Sequence, residues 1–232
     1  MKLLVFSDIH GNIYALDNFL KQIESFNYDR IIFLGDIFGY YYNQSEVIAR
    51  LKEIPNLIWL KGNHDIYAID IYCGRKKAKE YTENFGSSYD NLKARVRNED
   101  IMRIDAMSCY KVLNDGERHI GLFHGTPCNP MEGRLYPKDM VTNPEFYTDY
   151  DIVILGHTHW RMCRFVYQTL VVNPGSLGQP RDGKGFSFAI IDTILKSVEF
   201  MEIVIDKSCL FKDIERNDPY LGKLKDVLER KL

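Results

Sequence analysis

Cysteine is scarce and scattered in this chain: Cys73, Cys109, Cys128, Cys163 and Cys209 stand far apart, with no C-x-x-C pair. That spacing argues against a disulfide framework or a thiolate zinc site and fits a reducing cytoplasm. Long apolar runs are missing too. The opening Met1-Lys2-Leu3-Leu4-Val5-Phe6 meets Ser7-Asp8 at once, too short for a signal-peptide core, and no stretch is long enough to span a membrane. A soluble cytoplasmic protein is therefore expected. Neither sign of charge dominates, since 30 Lys and Arg face 32 Asp and Glu for a formal net charge of −2. The chain thus has no global attraction to nucleic acid or anionic lipid, and binding either would need a local patch. There is no internal repeat and no low-complexity segment. What remains is 232 residues, 45% hydrophobic and 27% charged, an ordinary globular composition able to bury a real core. A single domain over residues 1–232 is expected.

What is present is an alternation of short apolar runs and helical patterns, the signature of an α/β fold. Leu3 to Phe6 reads as a strand. Asn12 can cap a helix whose apolar Ala15, Leu16, Phe19, Leu20 and Ile23 keep to one face. Ile31 to Leu34 is a second strand, a helix covers Gln44 to Glu53, and Leu57 to Leu60 is a third strand. Ile120 to Phe123 and Ile152 to Leu155 are further strands, apolar at nearly every position, as befits central strands covered on both faces. Between Ile66 and Asp115 the chain is polar and helical in pattern, an excursion over or beside the strand ends. After His159 the pattern turns to β, over Arg164 to Tyr167, Thr169 to Val172, Phe186 to Ile191 and Val198 to Val204. Asp218-Pro219 opens a last amphipathic helix carrying Leu221, Leu224, Val227 and Leu228, which docks on the core or on a second copy of the chain.

Five of the six histidines sit in short motifs that close apolar runs: Asp8-Ile9-His10-Gly11, Gly62-Asn63-His64-Asp65, His124-Gly125 and Gly156-His157-Thr158-His159, with Gly35-Asp36 beside them. Only a polar cluster at one edge of a sheet explains that layout economically. At the end of an extended strand, residues i and i+2 point the same way, so Asp8 can converge with His10, and His157 with His159. The neighbouring glycines let the backbone turn sharply there. Two carboxylates, one amide oxygen and several imidazoles are too many ligands for one zinc, but they suit two divalent ions with open positions for water. A carboxylate between the ions, most simply Asp36, would hold them at the usual separation for phosphate-ester hydrolysis. A water between them would then lose a proton and attack in line. His64, next to Asn63, can protonate the leaving oxygen, with Asp65 orienting it.

These five blocks, in this order, resemble the calcineurin-like metallophosphoesterase superfamily over residues 1 to about 190. The resemblance implies an α/β sandwich of two mixed sheets flanked by helices, a four-layer αββα arrangement. It assigns Asp8, His10, Asp36 and His159 to one ion, and Asp36, Asn63, His124 and His157 to the other. His64 falls on the family's leaving-group acid. The short length and the segment Asn173 to Arg181 look like the small bacterial and archaeal phosphodiesterase branch, some of whose relatives cleave diadenosine polyphosphates. In this branch the Gly175 to Arg181 stretch would offer backbone N–H groups and Arg181 to a substrate phosphate. The implied cofactors are two divalent ions, with Mn²⁺ first and Fe, Zn, Ni or Co also accepted by N/O ligands. The implied partner is a small phosphorylated substrate.

Two other functions are compatible with such a fold. A non-catalytic protein-binding scaffold of the same fold would lack the histidine of the Gly-Asn-His-Asp block, which is present here as His64. A nuclease would need a basic groove, for which only Arg75-Lys76-Lys77, Arg95 and Arg97 speak against the acidic balance. His119 lies outside every motif and reads as a surface histidine. In Tyr40-Tyr41-Tyr42, one ring can stack on a base or cover the metals, and ordinary packing is the alternative. Specificity is expected in the excursion, the Tyr40 loop and the stretch from Gly125 to Tyr136.

Overall fold

The structure, a computed structural model, describes residues 1–230. The strands are β1 (Lys2–Phe6), β2 (Arg30–Phe33), β3 (Ile58–Trp59), β4 (Tyr110–Asp115), β5 (Arg118–Phe123), β6 (Ile152–Leu155), β7 (Arg161–Val166), β8 (Thr169–Pro174), β9 (Phe186–Asp192) and β10 (Ser197–Ile203). The α-helices are α1 (Ile13–Ile23), α2 (Gln44–Glu53), α3 (Asn63–Tyr72), α4 (Lys79–Phe85), α5 (Leu92–Arg95), α6 (Asn98–Asp105), α7 (Ser208–Asn217) and α8 (Lys223–Glu229).

The strands form two mixed sheets, ordered β10-β9-β1-β2-β3 and β4-β5-β6-β8-β7. In the first, β1, β2 and β3 run parallel while β9 and β10 are antiparallel. In the second, β5, β6 and β8 run parallel, with β4 and β7 antiparallel at the edges. The alternation of side chains along each strand divides the core into three layers. Leu3, Val5, Ile32, Ile120, Leu122, Ile154, Val172 and Ala189 interdigitate between the two sheets. Leu4, Phe6, Ile31, Phe33 and Phe188 point the other way and pack on helices: Ala15, Leu16 and Phe19 from α1, Val47 and Leu51 from α2, Leu210 from α7 and Leu224 from α8. Phe123, Val153 and Val171 face outward from the second sheet, beneath Leu135 and Tyr147. The cover on that face is a loop and a 3₁₀ turn (Pro144–Tyr147), so its outer layer is thinner than the helical one opposite.

The expected excursion is helical from α3 through α6, but its last residues are not. Tyr110–Asp115 form β4, an edge strand paired antiparallel with β5. Its exposed, unpatterned side chains carry no core signal, which is why it reads as loop from sequence alone. Helix α7 was likewise not expected. Asn12 caps α1 as expected, its Oδ1 accepting from the Ala15 N–H at 3.1 Å, while its Nδ2 donates to the Gly178 carbonyl at 2.9 Å.

That second bond belongs to a seam that closes the sandwich at the carboxyl ends of β1 and β8. Leu177 N–H donates to Ser7 O at 2.8 Å and Gly178 N–H to Asp8 O at 3.0 Å. A Cβ at Gly178 would fall inside the radius of the Ile9 carbonyl oxygen, and neither backbone can give way. Gly178→Ala is expected to destabilise the fold by roughly 2–3 kcal/mol or more, read as a lower midpoint in denaturant unfolding; an unchanged midpoint would refute the close approach.

Candidate metal centre

All seven expected ligand positions meet at the carboxyl ends of the parallel strands. Asp8 and His10 follow β1, Asp36 follows β2, Asn63 opens α3 after β3, His124 follows β5, and His157 and His159 follow β6. Ligand atoms of Asp8, His10, Asp36 and His159 lie within 4.8 Å of one another, and so do those of Asp36, His124 and His157. Asp36 belongs to both groups. Asn63 joins the second, its Oδ1 3.1 Å from His124 Nε2. Every one of these residues is buried.

The backbone reaches this arrangement by a route different from the one expected. Asp8, His10, Asp36, His157 and His159 all adopt positive φ, at 57°, 52°, 67°, 66° and 60°. They lie past the strand ends in the left-handed region, where a side chain other than glycine costs roughly 1–2 kcal/mol. The extended i, i+2 argument therefore does not hold here. His157 and His159 do not converge on one place but divide between the two groups. Main-chain hydrogen bonds hold the strain in place: Asp8 N–H donates to Gly35 O at 3.0 Å, and Ile9 N–H to Asp36 O at 2.9 Å.

Three imidazoles have their tautomer set by the backbone. Nδ1–H of His10 donates to Phe38 O at 2.6 Å, that of His124 to Leu34 O at 2.9 Å, and that of His159 to Gln179 O at 2.6 Å. A carbonyl can only accept, so in the neutral form of each ring Nε2 carries the lone pair and faces the cluster. His10 Nε2 and His159 Nε2 are 3.1 Å apart. His124 Nε2 is 3.4 Å from Asp36 Oδ2, and His159 Nε2 is 3.4 Å from Asp8 Oδ1. Atoms bound to one divalent ion at its usual bond length are about 3–3.5 Å apart. Both Asp8 carboxylate oxygens and Asp36 Oδ2 are buried without a protein partner. A buried anionic oxygen left so is costly unless a cation meets it, so the donor set fits divalent metal.

The electrostatics agree with that fit at three of the four ligand histidines. At His124 burial works against the proton, but Asp36 and Asp8 raise the ring to about 9, so metal binding there would have to displace a proton. Burial pushes the Asp8 carboxyl up to about 7, with Asp36 adding to it and His124 pulling against it. Burial acts on Asp36 in the same direction, but the His124, His64 and His10 rings outweigh it and hold that carboxyl well below its ordinary range. Burial pushes His10 down to about 4 and His157 to about 3, and His159 well below its usual value. Those rings are neutral near pH 7, the state in which an imidazole ligates metal. Gly62 packs against the centre, where a Cβ would clash with the Asp36 carboxylate and come within 2.6 Å of His124 Cε1. Gly62→Ala is expected to weaken metal uptake about 10- to 100-fold, measured by titrating metal into stripped protein; unaltered affinity would mean that the Asp36 position is immaterial.

The remaining expected site residues divide. His64 is buried beside the first group, its ring 4.9 Å from that of His10, and its Nδ1 is 2.7 Å from the Tyr89 hydroxyl. Asp65 does not orient it. Neighbouring residues of a helix point in different directions, and Asp65 folds back to accept N–H from Gly62 at 2.8 Å, Ile37 at 2.8 Å and Asp36 at 3.0 Å. It braces the two loops that follow β2 and β3, and Tyr89 takes the place beside His64. Arg181 reaches the site and donates from Nη2 to the Tyr40 hydroxyl at 2.7 Å and to Gln179 Oε1 at 2.9 Å. Four of the N–H groups expected to serve a phosphate from the Gly175 to Arg181 stretch are otherwise engaged. Those of Leu177 and Gly178 bind the β1 end, that of Gln179 binds Ser176 Oγ at 2.7 Å, and that of Arg181 binds His159 O at 3.3 Å. Of the three consecutive tyrosines only Tyr40 faces the site, its ring edge-on to His10. Tyr41 and Tyr42 hydrogen-bond to Leu224 O and Asp218 near the carboxyl end of the chain. His119 is exposed. Two residues at the site were not expected: Tyr89, which carries no motif, and Arg134, whose Nε donates to His157 Nε2 at 3.1 Å.

A buried Asp/His cluster across the carboxyl ends of a two-sheet sandwich suits a two-metal hydrolase. A family model described as the calcineurin-like phosphoesterase superfamily domain matches residues 1–195, and the chain belongs to that superfamily, a phosphoric ester hydrolase by class. An uncharacterized protein of Methanocaldococcus jannaschii is 26% identical over 230 residues, 92% of this chain and 91% of its own length. Two solved structures share the fold across nearly the whole chain. A hypothetical protein of Pyrococcus horikoshii has a TM-score of 0.79 at 20% identity, covering 100% of this chain and 99% of its own. A metallophosphoesterase of Sphaerobacter thermophilus has a TM-score of 0.76 at 24% identity, covering 98% of each.

Proposed function

We propose that Asp8, His10, Asp36 and His159 hold one divalent ion and that Asp36, Asn63, His124 and His157 hold a second. Mn²⁺ is the proposed metal, although this N/O donor set also accepts Fe, Zn, Ni and Co. The reaction proposed is hydrolysis of a phosphodiester in a small phosphorylated or nucleotide substrate, with diadenosine polyphosphates among the compounds to try. The observation carrying this reading is the pair of overlapping ligand groups around Asp36, with three carboxylate oxygens lacking any protein partner.

When bound, such ions acidify a water and neutralise phosphoryl oxygens. The residues do the rest. His64 gives its proton to the departing oxygen. The Tyr89 hydroxyl lies 3.4 Å from the His64 carbonyl and 2.7 Å from Nδ1, so donating to the first lets it accept from the second and frees Nε2 for the substrate. Burial holds His64 well below its ordinary pKa. An anionic substrate beside it favours the protonated ring. Arg181, held by Tyr40 and Gln179, contributes a fixed positive charge near the phosphate.

We read the chain as one domain, supported by a helix-side core that gathers residues from Leu4 to Leu228. Among the described residues no helix is long and apolar enough to cross a membrane. The five free thiols, four of them exposed, suit a reducing compartment such as the cytoplasm. The test is Mn²⁺ add-back to stripped protein on bis-p-nitrophenyl phosphate, p-nitrophenyl phosphate and diadenosine tetraphosphate. Mn²⁺-dependent turnover fastest on a diester supports the reading, and faster turnover of the monoester makes the enzyme a phosphomonoesterase. No turnover with Mn²⁺, Ni²⁺, Co²⁺ or Zn²⁺ overturns it.

A further inference from the structure

Beside the second ligand group a cavity of about 390 Å³ opens to solvent, lined by Asn63, Tyr67, Glu132, Arg134 and His157. Two of these residues are in the proposed ligand set, and the other three have no part in holding metal. Tyr67 comes from α3, one helical turn after Asn63, so its place at the wall follows from the same helix that positions the ligand. Its ring stacks on Tyr81 at 4.9 Å and 27°, lies nearly parallel to Phe85 at 17°, and sits 5.3 Å from the His64 ring. Tyr81 and Phe85 are themselves near parallel, at 22°. The excursion thus brings three aromatic planes of similar tilt to the edge of the reaction centre. All three rings are only half-buried, and Tyr67 borders the cavity.

Arg134 lines the same cavity. Its Nε is engaged with His157, and the Nη groups have no hydrogen-bond partner among the described residues. Glu132 balances its charge on the rim. A cavity with one cation and one anion is poorly suited to a second phosphate, whereas a flat neutral group fits between an aromatic ring and a planar guanidinium. Resting on the phosphodiesterase reading, we propose that this cavity is the specificity pocket: a planar neutral ring of the substrate, a nucleobase or an aryl group, stacks on Tyr67 and is faced by Arg134. The phosphate then lies over Asn63 and His157, and the excursion between α3 and α4 selects the substrate.

The test compares AMP with ribose 5-phosphate as competitive inhibitors of bis-p-nitrophenyl phosphate hydrolysis by the Mn²⁺-loaded enzyme. The two share phosphate and sugar and differ only in the base. Stacking one base is expected to make AMP roughly 5- to 150-fold the tighter inhibitor. Tyr67→Leu should bring the two constants together, Tyr67→Phe should keep them apart, and Arg134→Met should narrow the gap. A merely structural role for Tyr67 would weaken both inhibitors alike. Equal inhibition of the wild type by both compounds overturns the pocket assignment while leaving Mn²⁺-dependent turnover, and with it the phosphodiesterase reading, intact. Without turnover that reading fails, and the same ratio taken from calorimetric dissociation constants on Mn²⁺-loaded protein still decides the pocket.

Discussion

Asp36→Asn is expected to cut phosphoesterase turnover by about 10³-fold and to abolish the rise in melting temperature expected of the wild type with Mn²⁺. Asp36 is the one side chain present in both ligand groups, with Oδ2 3.4 Å from His124 and 3.7 Å from His10. An amide removes the charge that both groups share, so neither should keep its ion. Bound metal at about a hundred times its dissociation constant stabilises a protein by about 2.7 kcal/mol, a shift that thermal unfolding reads easily. Asp8→Asn provides the contrast. Its carboxyl is raised to about 7 by burial, and both of its oxygens lack partners. The variant should also lose turnover, yet its EDTA-treated form should melt above EDTA-treated wild type near pH 8, by about 2–4 °C for each kcal/mol of desolvation relieved. If Mn²⁺ stabilised Asp36→Asn as much as wild type, the shared-carboxylate reading would be wrong.

His64→Ala should lower kcat by about 10²- to 10⁴-fold with metal content unchanged, because its ring is in neither ligand group. The loss should be larger for an alkyl ester than for a p-nitrophenyl ester, since a good leaving group needs its proton less. Equal losses on both esters would reduce His64 to packing among Tyr40, Phe85 and Tyr67. Tyr89→Phe keeps the ring that stacks at 6.3 Å on His64 and removes only the hydroxyl at Nδ1, so about a 10- to 100-fold fall is expected. Asp65 should behave differently from both. Asp65→Ala strands four buried N–H groups, and its main effect should be on unfolding rather than on leaving-group dependence.

Much of this was legible in the linear chain. Apolar runs ending in Asp, Asn or His locate β1, β2, β5 and β6 within a residue or two, because a strand buried on both faces must be apolar throughout and can carry polar groups only past its end. The same runs place Asp8, His10, Asp36, Asn63, His124, His157 and His159 at one edge of the fold. How the ligands divide into two groups was not in the periodicity, although the family resemblance implied the same division with Asp36 in both. His157 and His159 look like a pair in sequence but separate in space, since both adopt positive φ, which periodicity does not report. Edge strand β4 escaped notice because its side chains face solvent and carry no alternation.

The partners of the reacting groups were decided by tertiary structure alone. Tyr89 reaches His64 from 25 residues away and Arg134 reaches His157 from 23, and neither belongs to a motif. Asp65 adjoins His64 in sequence yet serves the backbone of Gly62, Asp36 and Ile37, since the first turn of α3 points it away. The Gly175 to Arg181 loop has the composition of an anion cradle, but its Leu177 and Gly178 N–H groups close the sandwich against β1, and those of Gln179 and Arg181 bind Ser176 Oγ and His159 O. A sequence by itself determines which chemical groups are present and which strand ends carry them, because periodicity and burial are local properties. What each group touches depends on long-range packing, and there the structure alone brought Tyr89 to His64 and Arg134 to His157 and turned Asp65 onto the backbone.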